Sequence, residues 1–314
     1  ENYGCSIGVG LGDLNYIDDT SKKYQKKGPK NVSPFFVPYV IANMAAGNTA
    51  KYFSFKGPNI CPTTACASGT HAIGEAWLYI MNDYADVMLC GGSESVITPL
   101  AIAGFSNMKA LSRSSDKPEL VSKPFDKDRS GFVLGEGAGI LVLESLEHAE
   151  KRNAKIYAEV LGYGMSADAY HLTAPAPRGE GAKRCMISAL KKSNISIDKV
   201  QYINAHGTST YYNDLYESQA IEDVFKDHIK NVIVSSTKGV TGHCLGAAGG
   251  IEGVVLAKSI YHQIAPPTAN LNNQDPLCTL NYAPLSPIEC NIDVGLSNSF
   301  GFGGTNATIV MKKF

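Results

Sequence analysis

The sequence has no two cysteines in a CxxC spacing, and no apolar run approaches the ~20 residues that would span a lipid bilayer. Its eight cysteines are instead scattered over the whole chain. This scatter excludes the common zinc-ligand spacings and the framework of a small disulfide-stabilised domain. We therefore expect a reducing compartment, where most of the thiols are small buried side chains.

An excess of either charge is also lacking. The 28 Lys and Arg residues nearly balance the 29 Asp and Glu residues, which gives a formal net charge of −1. This balance argues against broad binding to nucleic acid or to an anionic membrane surface. With 314 residues, 44% of them hydrophobic, the chain has an ordinary globular composition and the length of one large domain or two smaller ones.

No signal or transit peptide opens the chain, which argues against secretion. The first residues, "ENYGCSIGVG", have the pattern of a strand that enters a glycine turn in the interior of a domain. We therefore expect the natural N-terminus to lie further upstream.

Strand-like and helix-like segments alternate along the sequence, which predicts a layered α/β fold. The order of elements is similar in two halves, residues 1–155 and residues 156–314. Helices are predicted over 144–152, 182–193, 213–226 and 245–262. A polar, lysine-rich segment at 16–34 is predicted to lie on the surface as a solvated loop.

Three residues follow strands at positions that suit nucleophilic catalysis. Cys66, in "TACASG", lies where an extended run turns into a helix, and the helix N-terminus is expected to lower its pKa and favour the thiolate. His206, in "NAHGTST", follows a strand. His243, in "STKGVTGH", precedes a helix whose N-terminus would keep its imidazole neutral. One thiol and two histidines in such positions predict thiol chemistry.

The glycine-rich segment "NSFGFGGTN" at 298–306 resembles a nucleotide loop only superficially. It lacks the Lys-Ser/Thr pair of a P-loop and leads into a strand rather than a helix. We expect it to bring backbone N–H groups close to a reacting carbonyl.

In this order, "TACASG", "NAHGTST", "STKGVTGH", "GAAGGIE" and "NSFGFGGTN" resemble the motifs of the β-ketoacyl-[acyl-carrier-protein] synthases, the condensing enzymes of the thiolase superfamily. The similarity is greatest to the discrete type II enzymes of fatty acid synthesis and covers nearly the whole chain. It implies a five-layer αβαβα fold of two similar halves, with the N-terminal part of the first half missing, and a homodimer. It implies no required cofactor, because the phosphopantetheine is carried by the partner acyl carrier protein.

The resemblance also implies a two-stage reaction. An acyl chain is transferred to the nucleophile Cys66, and the enolate from malonyl-carrier protein then attacks that thioester. His206 and His243 would stabilise the enolate, with Lys238 and Glu252 in support. The N–H groups of Cys66 and Phe302 would form the oxyanion hole, and Phe302 matches a gating residue.

Further positions are implied by the same motif matches. The implied substrate-binding residues are Thr208 and Thr210 for the phosphopantetheine arm, His171 near the tunnel mouth, and Leu11, Phe36 and Phe105 around the acyl pocket, with Phe36 reaching across the dimer. A structural Na⁺ or K⁺ site would comprise Asn204, Ala205, Glu252, Ser297 and Asn298.

An acidic carrier protein needs a local basic patch on a chain of almost no net charge. In "NMKALSRSSDK", Lys109 and Arg113 are four residues apart, so on a helix they would share one face near the tunnel mouth. The competing patch is the lysine group at positions 22, 23, 26 and 27.

Several alternatives differ from this interpretation in a specific residue. A thiolase has a second catalytic cysteine where this chain has "GFGG", and the carrier-protein synthase III and chalcone synthase groups use Cys-His-Asn. A chain-length factor lacks the nucleophile, whereas Cys66 is present. A polyketide-type ketosynthase and a fragment without catalysis stay open. The compartment is predicted to be bacterial cytoplasm, plastid stroma or mitochondrial matrix.

Overall fold

Two sheets carry the architecture of the protein, and the structure, a computed structural model, describes residues 2–314. The first half contains, in chain order, β1 (Tyr3–Gly8), α1 (Leu14–Lys27), α2 (Phe36–Val40), α3 (Met44–Phe53), β2 (Asn59–Ile60), α4 (Ser68–Met81), β3 (Val87–Glu94), α5 (Pro99–Asn107), β4 (Gly137–Glu144) and α6 (Leu146–Lys151).

The second half contains β5 (Glu159–Ala167), α7 (Glu180–Lys192), β6 (Tyr202–Asn204), α8 (Tyr211–Phe225), β7 (Ile233–Ser235), α9 (Lys238–Thr241), α10 (Ala248–His262), β8 (Ile264–Ala265), β9 (Ile288–Glu289), β10 (Val294–Gly301) and β11 (Thr305–Lys312). Of these strands, β8 and β9 pair separately as a small antiparallel ribbon. The helices predicted from the sequence at 144–152, 182–193, 213–226 and 245–262 are confirmed to within a few residues by α6, α7, α8 and α10.

The two sheets share one topology. The first has the order β2-β1-β3-β4, with β4 antiparallel to β3 and the other neighbours parallel. The second has β7-β6-β10-β11 in the same order and the same directions, and a fifth strand, β5, pairs antiparallel with β11. This repetition confirms that the chain is built from two similar halves.

The helices form three layers around these sheets. In the central layer, α4 and α10 contact each other and both sheets, while α3 covers the outer face of the first sheet and α7 covers that of the second. The central helices cross closely, because a Cβ added at Gly69 would lie 2.5 Å from the backbone N of Gly250. The result is the predicted five-layer αβαβα order.

The lysine-rich segment differs from its prediction. It forms the helix α1, which begins where the Asp13 carboxylate accepts a hydrogen bond from the Tyr16 N–H at 2.9 Å and ends at Gly28, with φ of 77°. Thr20 is its one buried residue. The segment is therefore on the surface, as expected, but it is not a loop, because the cap and the terminal glycine define a helix. Within residues 2–314, no helix combines the length and apolar character needed to cross a bilayer.

Candidate active site

Cys66 lies in a tight turn that leads into the central helix α4. The turn is a 3-10 segment, Ala65–Ala67, and its first residue has a left-handed backbone with φ of 51°. The Ser68 hydroxyl holds it by donating to the Ala65 carbonyl at 2.7 Å and accepting from the Thr64 N–H at 2.9 Å. A non-glycine residue in this conformation is strained. Cys66 lines a cavity and is only 5% exposed.

The pKa of the Cys66 thiol differs from the prediction. Burial raises the pKa of Cys66 to about 11, although the Lys238 ammonium and a hydrogen bond from the Phe302 N–H oppose that shift. Desolvation therefore outweighs the groups that favour the thiolate. The expectation of a lowered pKa was wrong, because the sequence shows the helix N-terminus but not how completely the sulfur is enclosed.

Both predicted histidines lie in the same cavity as Cys66, which has a volume of about 420 Å³. The ring centroids of His206 and His243 are 5.3 Å apart and the planes are nearly perpendicular, at 85°. The backbone of His243 is fixed by Val133 and Gly135, since its N–H donates to the Val133 carbonyl at 2.7 Å and its carbonyl accepts from Gly135 at 3.0 Å. Two donors thus face one space beside the thiol.

Both imidazoles are neutral at physiological pH. Burial and then the nearby positive charge of Lys238 hold the pKa of His206 and of His243 well below the ordinary value. The Lys238 Nζ lies 3.4 Å from the His206 Nδ1. Because an ammonium group only donates, this Nδ1 accepts and the proton is on Nε2. His206 can therefore donate one hydrogen bond without being a cation.

Lys238 joins the site through a buried ion pair. Its ammonium donates to the carbonyl oxygen of His206 at 2.6 Å and pairs with the Glu252 carboxylate. Both side chains are almost completely buried. Burial raises the pKa of Glu252, and Lys238 opposes that shift. Removing either partner would leave an uncompensated charge in the interior, so the pair fixes α9 and α10 against His206.

A second buried carboxylate, Glu217, was missed in the sequence. It lies on α8 and accepts hydrogen bonds from the N–H groups of His206 and Gly207, both at 2.8 Å. Burial raises the pKa of Glu217 to about 7, against the effect of these two donors. The signal available in the sequence was an acidic residue on a predicted helix one turn beyond Asp214, among apolar neighbours.

Comparisons with known proteins show the family of this chain. A family model described as β-ketoacyl synthase, N-terminal domain, matches residues 1–149, and one described as β-ketoacyl synthase, C-terminal domain, matches residues 157–272. The chain belongs to the β-ketoacyl synthase family.

Its curated relatives include proteins named 3-oxoacyl-[acyl-carrier-protein] synthase 2. The relative from Synechocystis is 52% identical over 314 residues, which are 100% of this chain and 76% of the relative. The relative from Coxiella burnetii is 49% identical over 310 residues, or 99% of this chain and 75% of the relative.

Solved ketosynthases have the same fold. One is a type II polyketide ketosynthase bound to the hexaketide, in complex with its acyl-carrier protein, with a TM-score of 0.97, 36% identity and coverage of 100% of this chain and 78% of that chain. A β-ketoacyl synthase from Burkholderia phymatum has a TM-score of 0.93, 33% identity and coverage of 100% and 76%. These likenesses confirm the thiolase-like fold.

The structure places the substrate residues expected of a β-ketoacyl synthase in different surroundings. Thr208 and Thr210 line the cavity, with their hydroxyls 2.9 Å apart. Phe105 packs edge-on against Phe132, in the apolar cluster that includes Cys66.

Phe105 and the other three substrate residues are not among the residues that line this cavity. Leu11 is on the loop after β1, and Phe36 stacks on Tyr16. The His171 Nδ1 accepts from the N–H groups of Thr173 and Ala174, both at 3.1 Å, and those two residues do line the cavity. His171 thus shapes the mouth instead of facing it.

The geometry of the basic patch was predicted incorrectly. Helix α5 ends at Asn107, and Lys109 has a left-handed backbone with φ of 58°, so it does not share a helix face with Arg113. Lys109 lines the cavity mouth, whereas the Arg113 guanidinium donates to the Ser106 carbonyl at 3.2 Å. The spacing of four residues was correct for a helix, but the chain turns before reaching the first of the two.

The residues implied for a monovalent cation leave several buried polar atoms without a hydrogen-bond partner. These are the amide atoms of Asn204, the Ser297 hydroxyl and one oxygen of Glu252. Oxygen ligands with a single carboxylate suit a hard cation. Asn298 fits less well, because its oxygen already accepts from the Thr308 hydroxyl at 2.8 Å.

The buried thiol leads to a prediction about pH. We expect the alkylation rate of Cys66 by iodoacetamide to rise about tenfold per pH unit between pH 7 and pH 10, because the thiolate reacts and its pKa is about 11. Mass spectrometry of the peptide that contains Cys66 measures the rate. A plateau near pH 8 would show that the helix N-terminus and Lys238 outweigh burial.

Proposed function

We propose that the chain catalyses decarboxylative condensation of malonyl-[acyl-carrier-protein] with an acyl chain held on Cys66, which gives 3-oxoacyl-[acyl-carrier-protein] in fatty acid elongation. The observation that carries this proposal is a single cavity lined by one thiol, two neutral histidines and the end of β10 with Phe302. The names of relatives about 50% identical over the full chain support the same reaction. It requires no cofactor beyond the phosphopantetheine of the carrier protein.

The first stage is acyl transfer. The Cys66 sulfur attacks the thioester carbonyl and loses its proton, and the carrier thiol leaves. The N–H groups of Cys66 and Phe302 bind the developing oxyanion; the Phe302 N–H is already directed at the sulfur. Phe302 lines the cavity, where its ring gates access to the thiol.

The second stage is decarboxylation followed by attack. Loss of carbon dioxide from the malonyl group moves its electron pair onto the thioester oxygen, which therefore needs donors and not a base. His206 and His243 supply one N–H each. The enolate carbon then attacks the acyl thioester, and the Cys66 thiolate leaves. Lys238 and Glu252 are positioning residues, since they act through His206. Residues 1–155 would thus contribute the nucleophile and residues 156–314 both histidines.

A polyketide-type ketosynthase is the second candidate, because the neighbour with a TM-score of 0.97 is a type II polyketide enzyme. The fatty acid assignment is preferred, since identity is 52% to the Synechocystis relative and 36% to that neighbour. Analysis of the product after several rounds with a ketoreductase, a dehydratase and an enoyl reductase decides between them. A reduced chain supports fatty acid elongation, and refusal of reduced chains supports the polyketide reaction.

The separate roles proposed for Cys66 and the two histidines predict that different variants lose different steps of the reaction. Cys66→Ala should abolish transfer of radiolabelled acyl chains from carrier protein to enzyme. His206→Ala and His243→Ala should each lower malonyl decarboxylation by roughly 10²–10³ while acylation falls less, because each removes one enolate donor. His262→Ala, on the exposed end of α10, is the control. Equal losses of both steps in the two histidine variants would contradict the assigned roles.

For the partner, we propose that an acyl carrier protein docks at the cavity mouth through Lys109 and Arg113. Charge reversal, Lys109→Glu with Arg113→Glu, should raise KM for the acyl-carrier protein by roughly tenfold at low salt. Turnover of a small acyl thioester should fall much less. The control is Lys23→Glu on α1, in the competing patch. A larger effect of the control would move the docking site to α1.

A monovalent cation, Na⁺ or K⁺, is proposed to bind among Asn204, Ala205, Glu252, Ser297 and Asn298. The unpartnered buried oxygens described above support it. We expect a higher Tm in potassium or sodium chloride than in tetramethylammonium chloride at equal ionic strength. Ser297→Ala should reduce that difference, and equal Tm values in all three salts would exclude the site.

A homodimer is proposed because large apolar side chains are exposed on two neighbouring segments of the chain, Val37 and Tyr39 on α2 and Tyr52 and Phe53 on α3. Exposed large apolar side chains of this kind are typical of a protein interface. A monomer in sedimentation velocity at micromolar concentration would contradict it. A reducing compartment, which is bacterial cytoplasm, plastid stroma or mitochondrial matrix, stays a prediction. The eight free cysteines support it.

A further inference from the structure

Two adjacent tyrosines that the proposed reaction does not use lie at the mouth of the active-site cavity. Tyr211 and Tyr212 begin α8, both line the cavity, and they are 50% and 56% exposed. Their rings meet edge to face, with centroids 5.2 Å apart at 84°. Two large rings exposed side by side at a cavity mouth are a usual sign of a ligand contact.

These rings are held in place from below. The buried Arg129 guanidinium donates to the carbonyl oxygens of Tyr211 at 2.9 Å and Thr210 at 3.2 Å. Its Cζ also lies 5.1 Å from the centre of the Tyr211 ring. Two carboxylates compensate the charge of this guanidinium, Asp275 at 2.7 Å and the buried Asp214 at 3.7 Å. Tyr211 is therefore pre-oriented, and binding against it costs little side-chain entropy.

The second ring is supported from α8 itself. Tyr212 packs at a tilt against Tyr216, one turn further along, with centroids 5.7 Å apart. The two rings therefore form a continuous surface that begins directly after Thr210. The two rings are half exposed whereas Thr208 is buried, so the rings lie nearer to solvent than the Thr208 hydroxyl.

We propose that Tyr211 and Tyr212 form an aromatic wall that binds the outer part of the pantetheine arm, the part with the branched dimethyl group and the amides. This proposal rests on the proposed function, since it assumes that the substrate arrives on that arm. The ring faces suit the branched alkyl group, and the phenol hydroxyls suit the amides. The wall and the pair Thr208–Thr210 would then hold successive portions of one extended ligand.

Two thioesters of the same acyl group test the wall. Acyl-pantetheine contains the branched dimethyl portion, whereas acyl-N-acetylcysteamine ends before it. For Tyr211→Ala with Tyr212→Ala, we expect the ratio of kcat/KM for acyl-pantetheine to kcat/KM for acyl-N-acetylcysteamine to fall roughly tenfold from the wild-type ratio. The loss should appear in KM and not in kcat, because the rings do not touch the reacting atoms.

Two further variants sharpen the result. Tyr211→Phe with Tyr212→Phe keeps the rings, and its ratio should stay within about threefold of wild type. The control is Tyr84→Ala, which removes an exposed tyrosine (66%) of another edge-to-face pair, formed with Tyr79 and outside this cavity. Its ratio should equal that of wild type.

Three outcomes would contradict the proposed wall. In the first, kcat/KM of the alanine variant falls equally for both thioesters. In the second, the ratio falls as far in the phenylalanine variant as in the alanine variant, and in the third, kcat/KM of the alanine variant falls for acyl-carrier protein but not for acyl-pantetheine. The last result would mean that the rings contact the carrier protein itself. Failure of the proposed function is distinguishable, because wild-type enzyme would then turn over neither thioester.

Discussion

The arrangement of the site depends on one buried cation, the ammonium group of Lys238. An unpaired ammonium in the interior costs several kcal/mol, so its partners must be held in place whenever the chain is folded. Those partners come from two separate elements: the Glu252 carboxylate from α10, and the carbonyl oxygen and Nδ1 of His206 from the segment after β6. The ion pair therefore fixes the distance between the strand end that bears His206 and the helix α10 that follows His243.

The same charge determines which protonation states the site can use. Lys238 and burial together keep both histidines neutral, and burial keeps the Cys66 thiol protonated. Neutral imidazoles suit an enolate, because a donor that holds its proton stabilises the negative oxygen without quenching the carbanion needed for attack. Burial of the site has a disadvantage for acyl transfer, because the protonated thiol must lose its proton during that step. Burial thus suits the carbon–carbon bond-forming step, which needs neutral donors, better than the acyl transfer step, which needs the thiolate.

The motifs predicted much of the site, since short polar segments after strands must meet at one edge of each sheet. Cys66, His206 and His243 line one cavity, as the sequence analysis expected. The sequence could not predict properties that depend on how tightly other residues pack around a side chain. The thiol pKa follows from packing around the sulfur, and the bonds that Glu217 accepts from the backbone follow from how α8 lies against β6. The turn of the chain at Lys109 could not be predicted either, because the four-residue spacing alone does not show where α5 ends.

The repeated topology places corresponding turns in the two halves, but only the first half has a cysteine in its turn. Each half sends a 3-10 turn into a central helix, and each turn begins with a left-handed residue, Ala65 with φ of 51° and Leu245 with φ of 47°. Cys66 follows the first of these residues and Gly246 follows the second. A side chain at Gly246 would have no room, since its Cβ would lie 2.3 Å from the Gly10 nitrogen. The second turn therefore cannot carry a nucleophile. It contributes instead through His243, just ahead of the turn, whose ring reaches the space in front of the thiol.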